Sequence, residues 1–297
     1  LSNLQDFNPE SFEFNPNHLT LVDKWIMSHL NRTIAVVTKN LEQYRFSDAA
    51  MAIYEFTWNY FCDWYIELSK EVLYQKDNSL YRETTQYILW TVLDTILRLL
   101  HPFMPFITEE IWQRMPQHGL SIMNAPWPVS DNSKINQAIE NNLSEIQETI
   151  KTIRNIKAEM NIPLTKEIEA HLKIMNKKKE GLIRDHPVYI KNLAHVHSFK
   201  IDVNCEKPEY SATGVLEDIE IFIPLKGIID REAEIKRLEK KCAKIDKEML
   251  LSNKKLNNTD FIKKAPEKII QKEKEKVTEL NDIRNRLQKN LKALKTK

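Results

Sequence analysis

Glycine is scarce in this chain: its 297 residues hold only Gly119, Gly181, Gly214 and Gly227. Loops that cradle phosphate on backbone N–H groups need more than that, and neither G-x-G-x-x-G nor G-x-x-x-x-G-K-[ST] occurs. The three cysteines, Cys62, Cys205 and Cys242, are far apart and form no C-x-x-C, which argues against a disulfide framework or a cysteine-pair zinc site. No stretch approaches the roughly 20 apolar residues of a membrane span, and the N-terminus lacks the charged-then-apolar order of a secretion signal. Free thiols and the lack of a span lead to the expectation of a soluble, cytoplasmic protein. The chain opens on Leu1 rather than Met, so a piece of something longer is expected.

Net charge is also small, but it is unevenly placed. The whole chain carries 44 Lys/Arg against 42 Asp/Glu, or +2. Residues 226–297 hold 22 against 12, a net of +10, so residues 1–225 carry 22 against 30, or −8. A basic tail on an acidic body points to a polyanionic partner reached through the tail.

That tail is patterned. Ile235, Leu238, Cys242, Ile245, Met249, Ser252 and Leu256 alternate spacings of three and four, the seam of a coiled coil. With Ile235 at position a, the outward positions include Lys236, Arg237, Lys240, Lys244, Lys247 and Lys254 and no acid. Glu239, Asp246 and Glu248 fall beside the seam. A face built only for solubility would mix both signs. Asn257 and Asn258 break the run, Thr259 or Asp260 can cap a second helix, and Pro266 suits its first turn. The second periodic run has Ile270, Val277, Leu280, Ile283, Leu287, Leu291 and Leu294. Two such runs predict an antiparallel hairpin with arms roughly 40 Å long at about 1.5 Å per residue. A dimerising coiled coil, or a helix pair without a ligand, fits the heptads too; the sorted charge favours nucleic acid.

Ahead of the tail, residues 1–17 read as a loop. Periodicity then predicts helices over 21–41 (capped by Thr20), 49–74 and 80–100, with a restart at Ile107 after His101-Pro102-Phe103-Met104-Pro105-Phe106. This is a bundle of four or five helices. An irregular connector over 120–134 leads to a helix over 133–160. Strands are expected at 167–174, 196–201, 211–216 and 219–225, with a short helix at 177–193, making a small α+β unit.

Chemistry is sparse. His195 and His197 would share a strand face, yet no acid or cysteine stands beside them, so no metal is expected. His101 is assigned to satisfying the broken helix, and Glu109 and Glu110 to a first-turn dipole match. No nucleophile is paired with a base. The segment 58–67 has an aromatic stripe, Trp58, Phe61, Trp64 and Tyr65, edged by Asn59, Asp63 and Glu67 at i, i+4, i+8, with Lys70 close by. Such stripes are usually core; edged by polar groups, one could also stack a single-stranded base.

Particular stretches carry a family resemblance. F-C-D-W-Y-I-E at 61–67 resembles the anticodon-domain helix of valine- and isoleucine-type class I aminoacyl-tRNA synthetases, and L-H-P-F-M-P-F-I-T-E-E-I-W at 100–112 resembles the kinked helix of the larger class I subgroup. I-R-N-I-K-A-E-M-N-I-P at 153–163 and D-F-I-K-K-A-P-E at 260–267 are similar to the valyl-tRNA synthetase family. The resemblance implies a mainly α fold: an anticodon-binding helical bundle with its connector over 1–160, a small α+β subdomain over 161–227, and a tRNA-binding antiparallel coiled coil over 228–297. It implies tRNA, of the valine isoacceptors, as partner. The tRNA sites it implies are the six outward cations of the tail and, on the bundle side, Trp58, Asn59, Asp63, Trp64, Glu67, Lys70, Arg154 and Lys157. The family's HIGH- and KMSKS-type ATP signatures, its editing domain and its N-K-x-W-N-A-x-[RK]-F helix do not occur here. The expectation is therefore the C-terminal third of such a ligase, monomeric and inactive alone, with ATP and Mg used by the catalytic and editing domains in cis and neither cofactor nor metal held here. The alternatives are a self-associating structural coiled coil, or the same part of an isoleucine- or leucine-type enzyme.

Overall fold

A computed structural model describes residues 2–74, 79–116, 119–228, 231–257 and 266–295. It forms two compact units, 1–147 and 148–297. They part within a helix rather than at residue 160, because the last turns of that helix pack on the small sheet.

In the first unit, α1 (Leu21–Glu42) opens on a capping box: Thr20 Oγ1 accepts from Asp23 N at 3.1 Å while the Asp23 carboxylate accepts from Thr20 N at 3.0 Å. Asp23 is buried, and it also accepts from the Tyr65 hydroxyl at 2.8 Å and the Thr85 hydroxyl at 3.2 Å, which ties three helices together. Burial still pushes its carboxyl above the ordinary carboxylate range.

The helix expected over 49–74 is instead α2 (Phe46–Glu55), a π-helical segment (Phe56–Tyr65) and α3 (Ile66–Leu73). The Ile66 N–H reaches back five residues to Phe61 O. The apolar spacing explains the wider turn. Phe56 and Phe61 are both buried although five apart. A turn of about 3.6 residues would send them to different sides, whereas i→i+5 bonding keeps them on one face.

α4 (Ser79–Leu100) packs on α1 and α3 and receives α5 (Pro105–Trp112). Trp112 joins Leu97, Met115 and Ile122 in a buried cluster and donates its indole N–H to Asp94 at 2.8 Å. His101 reaches no carbonyl of the broken helix itself: its Nδ1 lies 2.8 Å from Thr108 Oγ1, and it is that hydroxyl that donates to Met104 O at 2.8 Å. Glu109 is past the first turn of α5, so the dipole assignment is corrected; it holds the loop after α5, accepting from Ser121 Oγ at 2.9 Å and Ile122 N at 3.1 Å.

The second unit is built on a four-stranded sheet of order β2-β1-β4-β3, from β1 (Ile168–Ile174), β2 (Val196–Ile201), β3 (Ser211–Val215) and β4 (Ile219–Pro224). β1 runs parallel to β2 and antiparallel to β4. One face of β1 is Ile168, Ala170, Leu172 and Ile174, all buried. The final turns of α6 (Gln137–Glu159) lie so close to β3 that a Cβ on Gly214 would sit 2.6 Å from Thr152 Cγ2 and 2.8 Å from Ile156 Cδ1. The helix expected at 177–193 is two, α7 (Lys177–Asp185) and α8 (Pro187–Ala194), because Pro187 starts a new first turn. His195 ends α8 with φ of 50° rather than lying on β2, so it does not share a strand face with His197.

The tail is α9 (Arg231–Leu256) and α10 (Glu267–Lys295), packed against each other. Lys255 pairs with Glu273 at 3.5 Å and Arg284 with Asp246 at 2.6 Å. One number falls as the other rises, so the helices are antiparallel. Leu238, Ile245, Ser252, Leu280 and Leu287 are buried along the seam, whereas Ile283 is exposed. The expected turn and its caps Thr259 or Asp260, within 258–265, and the Leu294 side chain lie outside the described residues.

Candidate nucleic-acid interface

The outward positions of α9 mostly face solvent. Lys236, Lys240, Lys244, Lys247 and Lys254 are all exposed. Asp246, expected beside the seam, is there, and it accepts from Arg284 of the other helix. Of the three acids expected beside the seam, Asp246 is engaged between the helices, while the lysines of the outer stripe are exposed. Arg237 is the exception. It is half-buried and donates through Nη2 to Glu159 O, the C-terminal carbonyl of α6, at 3.1 Å. It is a tether at the root of the arm, and a second bond there runs from Lys166 Nζ to Ile228 O at 3.1 Å.

The two cations assigned from the 153–163 stretch are also structural. Lys157 is 0% exposed. Its ammonium donates to Leu164 O at 2.8 Å, Lys166 O at 2.6 Å and Ala194 O at 2.9 Å, filling all three of its N–H positions. It cannot reach a phosphate. Burial, with a smaller push from Arg154, lowers its pKa below the ordinary lysine value. Arg154, half-buried, donates through Nε to Leu193 O at 2.8 Å. Both cations cap the C-terminal carbonyls of α8, where a helix dipole favours positive charge.

On the bundle side the aromatic stripe divides. Phe61 and Tyr65 are buried and stacked, with centroids 6.0 Å apart. Trp64 is half-buried, and Trp58 is 52% exposed next to Tyr54. Asn59, Asp63 and Glu67 border this surface, and Lys70 is bound to Glu67 at 2.6 Å. The charges here are Glu55, Asp63 and Glu67 against Lys70. Such a surface offers an aromatic face and acceptors for base amino groups, but little for phosphate. The π-turn beneath it escapes a helical reading of the sequence, though the five-residue spacing of Phe56 and Phe61 signals it.

Among the described residues no group of three or more His, Cys, Asp or Glu side chains could hold a metal, and no helix is long and apolar enough to cross a membrane.

Comparison with known proteins finds two family matches in this chain. Residues 23–173 match the family described as anticodon-binding domain of tRNA ligase. Residues 230–295, which contain α9 and α10, match the valyl tRNA synthetase tRNA binding arm. The chain is similar to the valine–tRNA ligase of Syntrophotalea carbinolica, 40% identical over 296 residues that are 99% of this chain and 33% of that protein. It is similar to that of Geobacter sulfurreducens, 41% identical over 299 residues with the same coverage, and to that of Carboxydothermus hydrogenoformans, 41% identical over 278 residues, 94% of this chain and 31% of that protein. It spans about a third of the length of these relatives. The chain belongs to the anticodon-binding domain family of tRNA ligases.

Proposed function

We propose that this chain is the tRNA-holding part of a cytoplasmic, monomeric valine–tRNA ligase, which attaches valine to its tRNA isoacceptors with ATP and Mg. The observation that carries this reading is the unmixed lysine stripe of α9, exposed along an arm matched to a tRNA-binding one. Ammonium groups spaced along a helix neutralise successive phosphates and release counterions, giving affinity without base selection. The acidic bundle contributes differently: Trp58 with Asn59, Asp63 and Glu67 offers stacking and hydrogen bonding to an unstacked base. These residues supply no nucleotide chemistry, so catalysis is assigned to the rest of the ligase.

The test is a titration of the chain with a tRNA transcript carrying a valine anticodon, alongside valine-dependent ATP–pyrophosphate exchange. Salt-sensitive binding without exchange is expected. Absence of binding at low salt contradicts the tRNA reading, and exchange by the pure chain contradicts the placement of catalysis.

A further inference from the structure

The helical bundle holds a cavity of about 360 Å³ between α1, α4, the segment before α1 and the start of α6. Small-molecule sites span roughly 300–1,000 Å³, so there is room for one ring system. The walls are preformed. Phe14 lies against Tyr87 with centroids 5.3 Å apart, and Phe12 stacks on the same ring at 5.1 Å, which holds the segment before α1 over α4. Asn136 N donates to Ser28 Oγ at 2.9 Å and Asn136 Oδ1 accepts from Ile139 N at 3.2 Å, which fixes the start of α6 on α1. Leu19, Met27, Ile88 and Ile139 make the lining mainly apolar. Its polar groups stand at two ends. Thr91 lines the cavity, and its hydroxyl is buried without a hydrogen-bond partner, which is costly. Lys24 and Lys134 also line it and are exposed, whereas no Asp or Glu does so. Lys134 approaches Asp131 only to 3.7 Å. Two cations on one cavity stand out here, because residues 1–225 are net negative.

We propose that this cavity binds a small hydroxylated aromatic acid. The ring lies among Phe14, Tyr87, Met27 and Ile88, the carboxylate meets the two ammoniums at the solvent end, and the ring hydroxyl pairs with Thr91 at the buried end. Each part of the ligand answers one observation. Aromatic walls favour a planar ring, ammoniums with no acid in the lining favour an anion, and a buried unpaired hydroxyl is satisfied by a group that both donates and accepts. A neutral apolar ligand would leave Thr91 unpaired and gain nothing from the lysines, and an inorganic anion would leave the apolar walls unfilled. The site uses neither the lysine stripe of α9 nor Trp58, so it does not depend on the tRNA reading.

The experiment is calorimetric titration of the full chain with 6-hydroxy-2-naphthoate, and with 2-naphthoate and 2-naphthol, which lack its hydroxyl and its carboxylate in turn. The parent is compared with Thr91→Val and with Lys24→Ala/Lys134→Ala. Valine keeps the shape of threonine and both lysines are exposed, so circular dichroism should show the parent's fold in each variant. The parent is expected to bind the complete probe about 3- to 10-fold more tightly than either partial form. Thr91→Val should lose about 3- to 10-fold on 6-hydroxy-2-naphthoate and nothing on 2-naphthoate. The lysine variant should lose about 3- to 10-fold on both acids and nothing on 2-naphthol. The two variants test separate ends of the cavity, so a folding failure in one leaves the other decisive. No saturable binding by the parent, or losses that are equal on all three probes, overturns the proposal. Parental binding in both variants places the probe elsewhere and overturns it as well. Displacement of the bound probe by a saturating valine-anticodon tRNA transcript assigns the cavity to an RNA base and likewise overturns it.

Discussion

Lys157 Nζ lies 2.9 Å from Ala194 O, joining the last turns of α6 to the end of α8 with no carboxylate in the set of bonds it makes. The same ammonium holds two carbonyls of the segment entering β1, Leu164 O and Lys166 O. Lys157→Met keeps most of the aliphatic stem and strands the buried Ala194 O together with the part-buried Leu164 O and Lys166 O. A buried acceptor left unpaired costs about 1–3 kcal/mol, so denaturant unfolding of the second unit should shift by at least about 1 kcal/mol. Lys236→Met, on an exposed position, should stay within about 0.5 kcal/mol. Equal effects from the two would contradict the assignment of Lys157 to structure.

Gly214 tests the packing of α6 on β3. A side chain there meets Thr152 and Ile156 at under 3 Å. Gly214→Val should lower the unfolding free energy by about 1–3 kcal/mol, the cost of overpacking. Gly181, with nothing within 4 Å of an added Cβ, is the control; Gly181→Ala in α7 should stabilise by up to about 1 kcal/mol.

The aromatic segment separates by exposure. Phe61→Ala empties a buried site and should cost about 3–5 kcal/mol. Trp58→Ala, on the open face, should cost about 0.5 kcal/mol or less while removing a solvent-quenchable part of the fluorescence. A large stability loss from Trp58→Ala would return the whole stripe to the core.

The first unit should weaken in acid, in two stages. Burial lowers the His29 pKa from 6.5; the Glu140 charge opposes that shift and Arg32 adds to it. The unfolded chain therefore takes up this proton first, and stability falls as pH drops below about 6.5 toward the folded value. For Glu140, burial alone would raise the pKa; hydrogen bonds from Arg32 and Ser28, with the His29 and Arg32 charges, leave it below 4.5. Its contribution is present above 4.5 and lost as pH falls through the folded value. Unfolding midpoints measured against pH should decline in both windows, the lower decline being opposed by Asp23, whose raised carboxyl takes up its proton first in the folded state; His29→Gln should flatten the upper limb and, by removing a charge that helps lower the Glu140 pKa, shrink the lower one as well. An unchanged upper limb in that variant would contradict the assignment.

Much of this structure is legible in the sequence because it rests on local pattern. Thr20 marks the start of α1, the four strands fall within a residue or two of where they are expected, and the heptads place Leu238, Ile245 and Ser252 in the seam. The features that escape it depend on partners distant in sequence. A lysine whose acceptors are backbone carbonyls, like Lys157, looks in sequence the same as one that meets a phosphate. Arg237 occupies an outward heptad position, yet α6 ends beside it, and no periodicity records that. The π-turn is written in the step of five from Phe56 to Phe61, but a search for period 3.6 passes over it.

The tRNA reading stands most directly on the lysine stripe. The decisive measurement is the salt dependence of tRNA affinity for Lys236→Ala/Lys240→Ala/Lys244→Ala/Lys247→Ala, leaving Arg237 in place because it secures the root of the arm. These side chains are exposed and occupy no seam position, so the variant should fold as the parent does. Binding should weaken similarly for different tRNAs, and the log–log slope should fall by roughly 0.7–0.9 for each phosphate no longer neutralised. A folded variant with the parent's affinity and the parent's slope would contradict the tRNA reading and leave the hairpin a purely structural element.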